Sequence, residues 1–143
     1  MKNKSTTEHR FEKVEIINGT RFINDSKSTN FHSVSSASER VKNALLIMHG
    51  ITKNIPTSEL QLSNEIKKII IPNDMNLDHN LFHCEVEVIK SIFELEDILK
   101  KDFQRFETVL FSCGGSSFND FENYIERGKF FKSIVKNLKG GQN

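Results

Sequence analysis

The chain has 143 residues, enough for one domain of ordinary size that folds without disulfides or a structural metal. Its 20 basic and 19 acidic side chains leave a net charge of +1, which excludes a broad basic field for nucleic acid or an anionic membrane. No stretch reaches the ~20 apolar residues of a membrane span, and the polar N-terminus lacks the apolar core of a signal peptide. We therefore expect a cytoplasmic protein in which Cys84 and Cys113 stay reduced.

A β-hairpin near the N-terminus is the first element that the sequence predicts. Residues 1–8 are polar and are expected to be flexible. The β-rich runs VEII (14–17) and TRFI (20–23) then flank Asn18-Gly19. Both of these residues accept the positive φ of a type I′ turn. Two antiparallel strands are therefore expected to turn at Asn18-Gly19.

The rest of the chain alternates between helical patterns with one apolar face and short apolar runs typical of buried parallel strands. In chain order we expect a helix at 31–41, a strand at 43–48, a helix at 58–68, strands at 69–71 and 82–88, a helix opening at Ser91, a strand at 107–112 and a helix at 118–138. The helix at 58–68 depends on the capping-box spacing of Ser58 and Gln61. This alternation predicts an α/β, three-layer Rossmann-like domain with a mostly parallel sheet and helices on both faces.

The last predicted helix carries a run of basic side chains. They are Arg127, Lys129, Lys132, Lys136 and Lys139. A phosphate-binding stripe is one interpretation. We favour a solvated helix face, because cations are stabilising near a helix C-terminus. Residues 140–143 are expected to form a flexible tail.

Three polar loops follow predicted strands, at 25–30 (DSKSTN), 49–53 (HGITK) and 112–117 (SCGGSS). Ligands of parallel sheets bind outside the carboxyl ends of the strands. Hydroxyl groups, helix-start N–H groups and the Lys27 ammonium suit the carboxylate of a small ligand. Alternatively, Thr29 or Asn30 only caps the next helix. The Gly-Gly-Ser-Ser turn is likewise either an anion-binding nest or a plain strand-to-helix connection.

Three signals of independent catalysis are absent from the sequence. There is no G-x-x-x-x-G-K-[ST] phosphate loop and no Ser, His and acid set with the spacing of a catalytic triad. The five histidines form no metal-ligand pattern. The residues therefore predict a binding function, with no metal site and no catalytic residue.

Three motifs carry a family resemblance. HRFE (9–12), NGTRFINDSKSTN (18–30) and SCGGSSFNDFENYIERGKFF (112–131) resemble the C-terminal domain of the Mur ligases. The family's versions read roughly H-R-F-E, N-D-S-K-A-T-N and S-P-A-C-A-S-F-D-x-F-x-x-F-x-x-R-G-x-x-F. The match is collinear, is closest to the D-glutamate-adding type, and predicts that this domain occupies 9–139.

The resemblance implies the following function. Mur ligases have three domains, of which the first holds a UDP-sugar peptide and the central one carries the phosphate loop for ATP and Mg²⁺. The third binds the incoming amino acid and closes over the site, which positions the amine and excludes water. This chain would then bind D-glutamate for an ATP-dependent amide-forming ligase of peptidoglycan precursor synthesis, without being catalytic alone. Its partners would be the N-terminal and central domains. The alternative is a stand-alone, non-catalytic binding or regulatory module.

The resemblance also assigns residues by position. Those on the nucleotide side are Arg10, Asp25 and Asn30, and those for D-glutamate are Lys27, Thr29, Lys53, Ser117 and Tyr124. We expect one shallow, open cleft at the carboxyl end of the sheet, bordered by Asp25, Lys27, Thr29, Lys53, Ser117 and Tyr124. Two loops depart from the family pattern: HGITK replaces G-G-x-x-K, and Ser-Cys-Gly-Gly-Ser-Ser replaces Ser-Pro-Ala-Cys-Ala-Ser, with Asn119 in place of an Asp. D-Glutamate specificity depends on whether these loops still bind.

Overall fold

The computed structural model describes residues 8–141, and the predicted flexible residues 1–7 and 142–143 lie outside that range. Six strands form one sheet in the order β1-β2-β6-β3-β4-β5. The strands are β1 (Glu12–Ile17), β2 (Thr20–Asp25), β3 (Ala44–His49), β4 (Ile66–Pro72), β5 (Glu85–Ile89) and β6 (Thr108–Gly114), and the helices are α1 (Phe31–Ser38), α2 (Leu95–Asp102) and α3 (Tyr124–Gly140). Every neighbouring pair is parallel except β1 and β2. The predicted α/β architecture is therefore confirmed.

The N-terminal hairpin turns where the sequence predicts. Asn18 and Gly19 have φ values of 49° and 88°, and Thr20 pairs with Ile17 directly across the turn. Asn and Gly reach these positive φ values at low cost, which explains why they connect the two strands.

Helices cover both faces of the sheet. On one face α1 packs Phe31, Val34 and Ala37 against buried strand residues that include Ile23 and Leu110. On the other face α2 and α3 bury a second cluster, in which the rings of Phe111 and Phe131 stack with centroids 4.6 Å apart. The three layers therefore hold the parallel strands rigidly and place the ends of β2, β6 and β3 side by side.

The helix predicted at 58–68 is wrong. The chain forms only a short 3-10 turn at Thr57–Glu59, and β4 already begins at Ile66. The backbone N–H groups of Gln61 and Ser63 donate instead to hydroxyl groups of α1, at 2.9 and 3.1 Å. Since these donors are satisfied by a neighbouring element, the local capping signal of Ser58 does not start a helix.

Other predicted boundaries shift by a few residues, and one interpretation of α3 changes. Helix α1 ends at Ser38, and α3 begins at Tyr124 because Asn123 accepts a hydrogen bond from the Glu126 N–H at 2.9 Å. The α3 helix continues through Gly140. Arg127, which the sequence placed on a solvated face, is fully buried. None of the helices in the described range combines the length and apolar composition needed to cross a membrane.

Candidate functional site

Arg127 joins the three loops that follow β2, β3 and β6. Its Nε donates to the Ser26 hydroxyl at 3.0 Å, and its Nη2 donates to the Ser26 carbonyl at 2.7 Å. Its Nη1 donates to the carbonyls of Gly115 at 2.8 Å and His49 at 3.2 Å. Arginine has five N–H donors in a rigid plane, so one buried guanidinium fixes three loops relative to one another.

His49 extends this network to the segment before α3. Arg127 Nη1 donates to His49 Nδ1 at 3.2 Å, and His49 Nε2 lies 2.8 Å from an Asp120 carboxylate oxygen. Because a guanidinium only donates, Nδ1 must be the unprotonated nitrogen, and Nε2–H donates to Asp120. Burial lowers the pKa of His49, although the Asp120 hydrogen bond opposes this shift. His49 is therefore a neutral connector with a fixed tautomer.

Two glycines allow the loop after β3 to contact the loop after β6. Ile51 and Ser116 exchange two backbone hydrogen bonds, each 2.9 Å long. Gly50 has a φ of +124°, and a Cβ there would lie 2.3 Å from the Ser116 carbonyl oxygen. A Cβ on Gly115 would lie 2.7 Å from the Gly50 backbone. Only glycines permit this contact, which positions Lys53 beside the turn after β6.

Asp25 holds the first loop in place. Its two carboxylate oxygens accept from the Phe11 N–H at 2.8 Å and from the Ser112 hydroxyl at 2.7 Å. Burial raises the pKa of Asp25, and the hydrogen bond from Ser112 counteracts this shift. Asp25 thus ties the HRFE segment, β2 and β6 together.

The Asp25 cavity, of about 300 Å³, opens beside this carboxylate. Its lining residues are Arg10, Phe11, Asp25, Lys27, Ser28, His32, Ser33, Ser36, Ala37 and Arg40. The Ser28 hydroxyl is buried and has no hydrogen-bond partner among the described residues. Since a buried hydroxyl without a partner is costly, this oxygen fits a polar ligand atom.

The Lys53 cavity, of about 500 Å³, lies between the N-terminus of α1 and the two glycine-containing loops. Its lining residues are Thr29, Asn30, Phe31, Ile51, Thr52, Lys53, Ile55, Gly114, Ser116 and Phe118. Thr29 and Lys53 are exposed here, whereas the Asn30 side chain accepts from the Ser33 N–H at 2.9 Å and caps α1. The hydroxyl and the ammonium can donate to the same anionic ligand.

The predicted site residues are thus divided between two cavities, with the boundary between Ser28 and Thr29. Ser117 is 3% exposed and lines neither cavity, although its neighbours Ser116 and Phe118 do. Tyr124 also lines neither cavity. Its ring lies 5.3 Å from the Lys27 ammonium, and its carbonyl accepts from the Ser26 hydroxyl at 2.7 Å. These residues therefore line two cavities or lie beside them, and both the single ligand site and the roles of the individual residues stay predictions.

Sequence reasoning missed Arg127 and His49. The signal for Arg127 was present, because it stands four residues before Phe131 and so lies on the core face of α3. His49 carries no comparable signal, since its side-chain partners, Asp120 before α3 and Arg127 within α3, lie far along the chain. Within residues 8–141, no cluster of His, Cys, Asp and Glu could hold a metal ion.

A scan against protein-family models finds no match. Curated proteins named UDP-N-acetylmuramoylalanine–D-glutamate ligase are similar to nearly the whole chain. The one from Thermosipho africanus is 36% identical over 139 residues, covering 94% of this chain and 33% of the relative. The one from Thermosipho melanesiensis is 36% identical over 138 residues, covering 93% and 32%.

A relative from a third organism aligns with the chain over a similar length. The ligase of that name from Prochlorococcus marinus is 32% identical over 143 residues, covering 89% of this chain and 29% of the relative. The chain spans about a third of the length of the curated relatives it matches. The chain therefore belongs to the Mur ligase family, as a relative of its C-terminal domain.

Proposed function

We propose that this chain binds the incoming D-glutamate for an ATP-dependent ligase that joins it to UDP-N-acetylmuramoylalanine. The observation that carries the proposal is the Lys53 cavity, in which loops from three different strands meet. Arg127 and the glycine contact hold these loops together, so that Thr29 and Lys53 line one space. Lys53 forms no salt bridge with a carboxylate of residues 8–141, which leaves its charge available to a ligand carboxylate.

The rim of the Lys53 cavity supports a role that needs a second domain. Ile51, Ile55 and Phe118 are 51%, 42% and 70% exposed around the opening. Apolar groups at this density are typical of surfaces that another protein surface covers. We propose that the central domain of the ligase covers them, and that closure completes the amino-acid site.

The Asp25 cavity fits part of a nucleotide. Arg10 and Lys27 supply positive charge there, and the Ser28 hydroxyl supplies a free hydrogen-bonding group. ATP would activate the acceptor carboxylate by phosphorylation. This chain would contribute orientation of the nucleotide, while the phosphate loop and the Mg²⁺ ligands would come from the central domain.

A titration of the ¹⁵N-labelled chain with D-glutamate tests the proposal. We expect weak, millimolar binding, because a small ligand gains little from half a pocket. Amide shifts should cluster at 27–30, 51–53 and 114–118. Lys53→Gln should weaken binding at least about fivefold, whereas Lys67→Gln, which removes an equal charge on β4, should leave it unchanged.

Two outcomes would count against the proposal. Shifts scattered over the surface, or equal effects of the two substitutions, would show that the Lys53 cavity is not the site. A saturable response to a different amino acid, with none to D-glutamate, would instead favour a stand-alone binding module with altered specificity.

A further inference from the structure

A third candidate binding surface lies at the amino ends of β2 and β6, on the face that α1 covers. We call it the basic groove. It has a volume of about 440 Å³, and four cations and one carboxylate border it: Lys13, Arg21, Arg40, Lys42 and Glu107. It remains open because α1 ends at Ser38 and does not extend across this end of the sheet. The local charge is therefore +3 (four positive charges minus one) on a chain whose net charge is +1.

Among residues 8–141, these four cations have no carboxylate within salt-bridge distance, although they border the same groove. Within the described range, none of the four forms a salt bridge. Six other basic residues do: Lys68, Lys100, Arg105, Lys129, Lys132 and Lys139. Like charges that face one groove repel one another, so an anion bound between them would offset this electrostatic repulsion.

Arg40 is already held in a binding orientation. Its guanidinium carbon lies 3.7 Å from the centroid of the Phe11 ring, and the Phe11 backbone is in turn bonded to Asp25. Stacking on an aromatic face uses the flat side of the guanidinium and leaves its N–H edge available. Little side-chain entropy remains to be lost when an anion binds to that edge.

We propose that the basic groove binds a small multivalent anion of the diphosphate class. Its donors come from β1, β2 and the segment after α1, so they suit a ligand with several charged oxygens better than a single carboxylate. The apolar groups Ile16, Ile23 and Val41 also line it, which leaves room for an organic substituent on the phosphate. The groove does not depend on D-glutamate binding, because it lies at the opposite end of the strands from the Lys53 cavity.

Titration of the chain with inorganic pyrophosphate at low ionic strength tests this inference. We expect saturable binding in the millimolar range or tighter, weakened by added salt, with amide shifts at 13, 21, 40–42 and 107–108. The double variant Arg21→Gln/Lys42→Gln should bind at least about tenfold more weakly. Lys67→Gln/Lys101→Gln removes the same charge elsewhere and should change the affinity by less than about twofold.

Both double variants alter exposed side chains, and unchanged far-UV circular dichroism would show that they fold. The proposal would be overturned by the absence of saturable binding up to about 10 mM pyrophosphate, the range beyond which affinity is negligible. Equal loss in the two double variants would overturn it as well. So would a single-stranded oligonucleotide that binds the groove while pyrophosphate does not displace it.

Discussion

At Arg127 every nitrogen of a fully buried guanidinium donates to a group of the protein itself. Three of its acceptors are backbone carbonyls, of Ser26, His49 and Gly115. None of these can move away without breaking the packing of the strands that precede them. Substitution would therefore leave several buried acceptors without donors.

We expect Arg127→Ala to lower the free energy of unfolding by about 3–5 kcal/mol, since it leaves several buried polar groups unpaired. Urea denaturation followed by circular dichroism measures the change. Arg105→Ala is the matched control, because that side chain is 58% exposed and its salt bridges are worth at most about 1 kcal/mol. An equal effect of the two substitutions would contradict the proposed role of Arg127.

The lowered pKa of His49 predicts how the free energy of unfolding depends on pH. Its pKa in the folded protein is lowered mainly by burial, so the folded state binds its proton less readily than the unfolded state, whose pKa is about 6.5. This contribution to stability is therefore fully present above pH ~6.5 and is lost as pH falls from there through the lowered pKa of the folded protein. Burial lowers the pKa of His9 as well, so two histidines contribute in the same direction.

Urea midpoints measured from about pH 7.5 to about pH 5 test this dependence. The unmodified chain should lose stability over that range. His49→Asn keeps an acceptor for Arg127 but cannot titrate, so its curve should be shallower, while His9 still contributes in the original direction. Parallel curves for the two proteins would be incompatible with a buried neutral His49.

At the scale of elements, the contact between the loops after β3 and β6 requires glycine. We expect Gly50→Ala to destabilise the fold by more than about 1 kcal/mol and to shift the amide signals of 51–53 and 114–117. Gly140→Ala is the control, because nothing lies within 4 Å of a Cβ there. That change, at the end of α3, should be neutral or stabilising by up to about 1 kcal/mol. A tolerated Gly50→Ala would show that the two loops are not constrained.

The sequence predicts elements well where local and tertiary preferences agree. Asn18-Gly19 supplies its own turn geometry, and the apolar run at 43–48 can only be buried. Prediction from the sequence fails where backbone donors bond to an element distant in the chain. The N–H groups of Gln61 and Ser63, for example, donate to side chains of α1. The sequence also contains the capping signal of α3, Asn123 followed by Glu126. The apolar residues before Asn123 extend the helical pattern, which is why the predicted helix begins too early, at 118.

The candidate site was predictable in part. The motifs placed Asp25, Thr29 and Lys53 on loops at one edge of the sheet, where the structure has them. Their division between two cavities could not be read from the sequence, because it depends on the position of the α1 N-terminus between them. Burial of Ser117 likewise depends on the turn that follows it, where the Phe121 N–H donates to its carbonyl at 2.8 Å.

At the scale of the whole molecule, the chain spans about a third of the length of the curated relatives it matches, and its sequence contains no G-x-x-x-x-G-K-[ST] motif. We expect it neither to hydrolyse ATP nor to bind it tightly on its own, because Arg10 and Lys27 replace only part of the charge that triphosphate and Mg²⁺ require. Isothermal calorimetry measures this directly. Micromolar affinity would contradict the assignment of the ATP site to another domain.

The most direct test of the proposed function is a chimeric ligase in which this chain replaces the matching third of the Thermosipho africanus relative. We expect the folded chimera to release phosphate from ATP only when UDP-N-acetylmuramoylalanine and D-glutamate are both present. Lys53→Gln in the chimera should raise the KM for D-glutamate at least about fivefold, and Lys67→Gln should not change it. A folded chimera without D-glutamate-dependent turnover, beside an active unmodified relative, would contradict the proposal that this chain is an amino-acid-binding ligase domain.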